Sequence, residues 1–257
     1  MTTMRISEVD FLVPEIWEGP SDELHLNDVF ARGEQPYGER ILSGVTSMIL
    51  GSLPVAEATQ WEWPRSLRWD FLMPVVLGTE LRTAWDEDQS EVDQRVFTVA
   101  VTDGSGQLIS KGVLCYGIAE TSPTAVLTPD KSTPGRTLFG GDVEIFEWWL
   151  GTHGHNVRFA PEVVPWQVLV SLGAGLYINS VGTETSRVAV NRSMGWRFWA
   201  PLETAATIRG AVSSPEERRS RSKPGWSVRT GHCSFRREDG SRGLVAVYDA
   251  TALVYEA

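Results

Sequence analysis

The chain is poor in cysteine, histidine and positive charge. Only two of its 257 residues are cysteine, Cys115 and Cys233, and both lie in apolar strand-like runs without metal-ligand spacing. That excludes a disulfide scaffold and points to reduced core thiols in a cytoplasmic protein. Lys and Arg number 23 against 33 Asp and Glu, a formal net charge of −10. Nucleic-acid binding needs a concentrated basic face, so that class is excluded. The one basic cluster, Arg218, Arg219, Arg221 and Lys223, sits among Ser, Glu and Pro and reads as a solvated loop. No apolar run is long enough to span a membrane. The N-terminus, MTTMRISEVDFLVPEIW, has no basic segment followed by an apolar run, so no signal peptide is expected. There is no Gly-rich dinucleotide turn and no phosphate loop, so no cofactor is expected. His153 and His155 are two residues apart but lack an evident third ligand, so no metal is expected either.

What is present is a globular composition, 42% hydrophobic and 22% charged, with length enough for one large domain or two of about 125 residues. Eleven residues are Trp. Each carries a large apolar surface and one N–H, which suits cores and pockets for flat apolar ligands. The organising stretch is Tyr37 to Pro54, YGERILSGVTSMILGSLP. It reads as one buried helix that Pro54 ends, with Ser43, Gly44, Ser47, Gly51 and Ser52 letting another backbone or a ligand come close. Before it stand a short helical lead-in, Ile6 to Trp17, and an irregular polar segment, Gly19 to Arg40. After it come strands: Leu67 to Asp88 with a break near Pro74, then Arg95 to Thr102 and Leu108 to Ile118 around a hairpin at Asp103-Gly104-Ser105-Gly106.

The order then restarts. Glu162 to Asn179 has the character of the first helix, with Gly173 where Gly51 falls, and Gly195 to Gly210 mirrors the first strand pair. Trp196, Phe198 and Pro201 follow Trp69, Phe71 and Pro74 at a constant 127 residues. A second hairpin is expected at Asp239-Gly240-Ser241. This is an internal duplication with two copies: residues 1–120, a Thr/Ser/Pro-rich linker over 121–136, and residues 137–257. Each copy has one buried helix and several antiparallel strands, an α+β design in which a sheet curls around its helix.

The pattern resembles the MaoC-like, or (R)-specific, enoyl-thioester hydratases and dehydratases, which implies a double hotdog fold. In that family a segment S-G-D-x-N-P-x-H-x-D-x-x-F-A carries the catalytic Asp and His. His25-Leu26-Asn27-Asp28-Val29-Phe30-Ala31 matches its second part, with Asn at one acidic position. Ile41-Leu42-Ser43-Gly44 matches the entry to the central helix. Phe71 to Leu81, FLMPVVLGTEL, matches the strand pair F-x-x-P-V-x-x-G-D-x-L. The departures fall on the catalytic segment. The family's Asp stands five residues before its His, and here that residue is Pro20; Asp22 replaces it only in a shortened loop. In the second copy, GTHGHNVRFA puts Gly154 at the Asp and Phe159 at the His. Hydration needs a paired acid and base, each worth roughly a hundred- to ten-thousand-fold.

Three functions fit. The leading expectation is a cofactor-independent cyclase that folds a linear polyketide or polyene, free or on a carrier protein, for intramolecular [4+2] or [6+4] ring closure, as the resemblance and the missing pair together imply. Such a reaction needs preorganisation and no proton transfer. The second is an acyl-thioester dehydratase or hydratase, or a thioesterase, using Asp22 and His25. The third is a non-catalytic acyl-chain binder. The candidate catalytic residues are His25, Asp22, Ser43 and Tyr116, with His25 or Tyr116 donating to a substrate carbonyl. Met48, Trp61, Trp63, Trp69, Met73, Trp166 and Trp196 would shape the cavity. Strand alternation places Trp69 and Met73 on one face; whether that face lines a tunnel or packs on the helix is open at this stage. Pairing into a homodimer through exposed sheet edges is a further expectation.

Overall fold

A computed structural model describes residues 2–19, 23–34, 37–91, 94–117, 131–181, 187–238 and 244–256. The elements in chain order are β1 (Thr2–Arg5), α1 (Glu8–Leu12), α2 (Glu15–Glu18), α3 (Glu23–Leu26), α4 (Asp28–Glu34), α5 (Gly44–Ala58), β2 (Ser66–Phe71), β3 (Glu80–Glu91), β4 (Gln94–Asp103) and β5 (Leu108–Gly117). They continue with β6 (Lys131–Ser132), β7 (Arg136–Thr137), α6 (Gly140–Thr152), α7 (Trp166–Val181), β8 (Arg187–Phe198), β9 (Thr207–Val212), β10 (Glu216–Arg219), β11 (Trp226–Arg237) and β12 (Leu244–Glu256).

The strands form one antiparallel sheet of twelve, ordered β1-β3-β4-β5-β2-β8-β12-β11-β9-β6, with β7 on β9 and β10 on β11. Read inward from either edge the order of copies is the same, and the two copies join where β2 pairs with β8. Equivalent hydrogen bonds recur: Leu42 N–H to Val75 O and Val164 N–H to Leu202 O. The copies also exchange capping contacts. Trp149 Nε1 donates to Asp10 Oδ1 at 2.8 Å, and Trp17 Nε1 donates to Asp142 Oδ1 at 3.1 Å.

The central helices α5 and α7 are apolar nearly all round, the pattern of a helix with no solvent face. All but three of the fifteen α5 residues are buried. The duplicated glycines explain how the tryptophans fit. A Cβ on Gly51 would stand 2.8 Å from Trp69, and one on Gly173 would stand 2.6 Å from Trp196. A Cβ on Gly112, the partner of Trp69 across β2 and β5, would stand 1.9 Å from the same ring. Trp69 therefore packs against two glycines and Trp196 against one, at distances that leave no room for a Cβ. Burying one such ring removes about 150–250 Å² from water, roughly 4–6 kcal/mol of transfer free energy before entropy is counted.

The structure corrects several expectations. Pro54 lies inside α5, which runs on to Ala58; the ring removes one N–H without ending a helix held on all sides by packing. The polar segment before α5 contains two short helices, α3 and α4. Arg218 and Arg219 are strand residues on β10, not loop residues, although they are exposed. The expected linker is in part outside the described residues, and the remainder includes β6 and β7, which pair with β9. The Asp239-Gly240-Ser241 hairpin also lies outside them. Asp103-Gly104-Ser105-Gly106 is a turn as expected, with Asp103 Oδ1 accepting from the N–H groups of Ser105 and Gln107.

Candidate functional site

Two acid–base side chains that precede α5 in the chain are bonded to its entry. Glu18, the last residue of α2, is buried, and its Oε2 accepts from Ser43 Oγ at 2.8 Å. Ser43 is the N-cap of α5, and its Oγ accepts from the Val45 N–H at 3.2 Å. Two residues before the cap, the Ile41 carbonyl accepts from His25 Nδ1 at 2.5 Å. A carbonyl can only accept, so the bond places a proton on Nδ1. The entry of α5 thus holds a carboxyl from the end of α2 and an imidazole from α3.

Backbone geometry adds a place for a carbonyl oxygen. The first N–H groups of a helix have no acceptor inside it, and the helix dipole makes this end electropositive. Ser43 satisfies only the Val45 N–H, leaving those of Gly44 and Thr46 without an intrahelical partner. Thr46 Oγ1 is buried there with no hydrogen-bond partner. The other copy contributes Asn191. A Cβ on Gly44 would stand 3.1 Å from the Asn191 Cβ and 3.4 Å from the Phe71 ring. Just beyond Asn191 a bulge in β8 interrupts the β12 register, and Arg192 donates to the Phe71 carbonyl at 3.2 Å. Around Ile41 the half-buried side chains of Phe30, Tyr37, Val76, Val190 and Tyr255 form a small apolar cluster apart from the main core. An acyl chain has apolar surface to lie against there.

The duplicate end, at the start of α7, is built differently. Leu150 stands at the position of Glu18, Pro165 at that of Ser43, Trp166 at that of Gly44, and Phe159 at the position of the motif His. Trp166 is fully buried, with its ring 6.4 Å from Phe198. Trp63 meets the same Phe198 edge-on at 5.5 Å, and Trp196 stacks on it at 5.9 Å. Aromatic side chains fill the second entry, whereas polar groups and a glycine line the first.

The expected site residues therefore separate. His25 and Ser43 come together at the entry of α5. Asp22 lies outside the described residues. Tyr116 lies beside Thr59, past the other end of α5; the fourteen residue steps from Gly44 to Ala58 put these ends roughly 20 Å apart. Burial pushes the Tyr116 phenol up to about 12, so it stays neutral in the core. Met48, Trp69, Trp166 and Trp196 are core residues, each at most 1% exposed. Trp61 packs edge-on against Phe159 at 5.3 Å. Met73 follows the end of β2 and is 42% exposed, not on a face shared with Trp69. Glu18 was missed. Nothing in the motif marks it, because its partner Ser43 is 25 residues away.

Among the described residues no three His, Cys, Asp or Glu side chains form a metal-binding group. The two neighbouring histidines have other partners. His153 Nε2 bonds Asp10 Oδ1 at 2.7 Å and His155 Nδ1 bonds Glu57 Oε1 at 2.5 Å. Burial pushes the Asp10 carboxyl up, but hydrogen bonds from His153, Ser7 and Trp149, together with the His153 charge, outweigh this and hold it below the ordinary carboxylate value.

One buried helix per copy, two copies and one continuous sheet decide the architecture. The fold is a double hotdog. Solved structures agree along the whole chain. A MaoC domain protein of Chloroflexus aurantiacus, described as a dehydratase, superposes with a TM-score of 0.73 at 12% identity, covering 100% of this chain and 94% of that one. A Mycobacterium tuberculosis protein described as having a double hotdog fold superposes at 0.65 and 10% identity, with 98% and 94% coverage. A MaoC-like dehydratase of Phytophthora capsici superposes at 0.53 and 12% identity, with 99% and 94% coverage. No family model and no curated protein matches the chain by sequence. No helix among the described residues is long and apolar enough to cross a membrane.

Proposed function

We propose that the chain is an acyl-thioester hydratase or dehydratase acting at the entry of α5. The observation that carries this reading is the attachment of Glu18 and His25 to Ser43 and Ile41, two residues apart on the chain. Dehydratases among the double hotdog neighbours point the same way. In the hydration direction the thioester carbonyl faces the Gly44 and Thr46 N–H groups, which stabilise the charge that grows on its oxygen. Water bonds to the β-carbon and gives its proton to His25 Nε2. The α-carbon takes a proton from the Glu18 carboxyl, which enters the cycle in its acid form. The proton on His25 then returns to Glu18 through solvent, and the count closes. Elimination runs the same steps in reverse.

The cyclase reading relied on a wall of Trp and Met. Of those residues, Met48, Trp69, Trp166 and Trp196 lie in the core. The test is hydration of a crotonyl or longer enoyl thioester by the wild type and by Glu18→Gln. The proposal expects turnover in the wild type and its loss in the variant at unchanged melting temperature. Saturable binding without hydration would make the protein a binder. An isomer of unchanged mass from a linear polyene, with no hydration of any thioester, would restore the cyclase.

A further inference from the structure

A second cluster lies at the opposite end of α5 and takes no part in the chemistry above. His155 is 7% exposed, and its Nδ1 donates to the Glu57 carboxylate near the end of α5. Its Nε2 is buried and has no hydrogen-bond partner. Buried polar atoms are paired in the great majority of cases, so an orphan of this kind marks a place where a partner belongs. His155 also lines a cleft of about 520 Å³ at the C-terminal end of α6, together with Trp148, Thr152, Asn156, Val157 and Arg158. Trp148 is 58% exposed, a large apolar ring left uncovered beside the cleft. The corresponding residue in the first copy is Ile16, so the aromatic wall belongs to this end alone.

We propose that this cleft is a ligand site for a neutral, flat molecule bearing a hydroxyl group, such as a phenol, with the hydroxyl on His155 Nε2 and the ring against Trp148. The class follows from the surroundings. Glu57 fixes the Nδ1 proton, so Nε2 presents either a lone pair or an N–H, depending on protonation. A hydroxyl can donate to the first and accept from the second, and so satisfies both states. Anions are disfavoured. The Glu57 carboxylate stands behind the imidazole, and Arg158 is already engaged by the buried Glu147 at 2.5 Å. Metal binding is not indicated, since the described residues offer no group of three ligands.

The probe is p-cresol, with 4-methylanisole as the control of similar shape that lacks the O–H. The chain has four histidines, so the imidazole nitrogens can be followed individually by NMR after selective labelling. The proposal expects p-cresol to shift the His155 Nε2 signal saturably, leaving those of His25, His153 and His232 in place. It expects 4-methylanisole to bind about tenfold more weakly, the equivalent of one hydrogen bond, and His155→Phe to lose the preference. Folding of that variant is checked by its melting temperature. If it does not fold, Glu57→Gln, which leaves the imidazole in place but weakens its anchor, is expected to reduce the p-cresol preference. Equal affinity for the two probes, binding without movement of Nε2, or no binding of either would overturn the assignment.

Discussion

Replacing Gly175 by Ala adds one methyl group to the middle of α7, where it has nowhere to go. Its Cβ would stand 2.3 Å from the carbonyl oxygen and 2.5 Å from the Cα of Glu18. Ordinary contact begins near 3.4 Å, so the backbone of α2 must move by about 1 Å, carrying Glu18 away from Ser43. Ala is favoured over Gly in a helix by about 1 kcal/mol. Overpacking costs about 1–3 kcal/mol, and a clash between backbones has the least freedom to relax. The net expectation is a loss of up to about 2 kcal/mol, or a few degrees in melting temperature for a chain of this size. Activity should suffer far more, because misplacing a catalytic group by about 1 Å can cost about a hundredfold. Gly173→Ala is the matched control: its Cβ would meet the side chains of Trp196 and Phe235 at 2.6 and 3.0 Å, not Glu18. The assay is thermal melting alongside enoyl-thioester hydration for both variants. A comparable stability loss in the two, with turnover collapsing only in Gly175→Ala, is the predicted result. Full turnover in Gly175→Ala would refute the placement of Glu18 at the reacting atoms.

Three further perturbations test the fold around this site. Asp10→Ala strips the acceptor from His153, Trp149 and Ser7 and should cost about 3–5 kcal/mol in urea unfolding at neutral pH. Because the Asp10 carboxyl is held below its ordinary value in the fold, its stabilisation is present above about pH 4. The gap between wild type and variant should therefore close as the pH falls below that value. Gln167 is fully buried with both amide atoms unpaired, so Gln167→Met should raise stability by about 1–3 kcal/mol; a lower melting temperature would mean that the amide has a partner. A thiol reagent at pH 8 should modify the half-exposed Cys115 and spare Cys233 until the chain unfolds, since burial pushes the Cys233 thiol up to about 12.

The duplication was legible because it repeats large landmarks. Trp69 with Gly51, and Trp196 with Gly173, are pairs whose members must stay together if a ring is to lie against a helix. The role of those tryptophans was not legible, since strand alternation says which residues share a face and not what covers it. The glycines held the answer: a helix glycine opposite a strand tryptophan is a slot for a core ring. The site was half legible. His25 and Ser43 lie in segments that match a known motif, but Glu18 carries no local signal. It ends a four-residue helix, and its meeting with Ser43 is a tertiary contact that no spacing rule anticipates. Tyr116 stands apart from His25 and Ser43, because the length of α5 separates it from the helix entry.

The central claim is that Glu18 and His25 work as one acid–base unit at the start of α5. The most direct measurement is a mutant cycle on enoyl-thioester hydration with Glu18→Gln, His25→Gln, the double variant, and Asp22→Asn for comparison. The account predicts that each single change at Glu18 or His25 lowers kcat by about a hundredfold or more with little change in KM or melting temperature. The double variant should fall little further, as expected for groups that act together. Asp22→Asn should retain turnover. Loss of activity in Asp22→Asn, with Glu18→Gln fully active, would contradict the account and return the acid to the polar segment before α3.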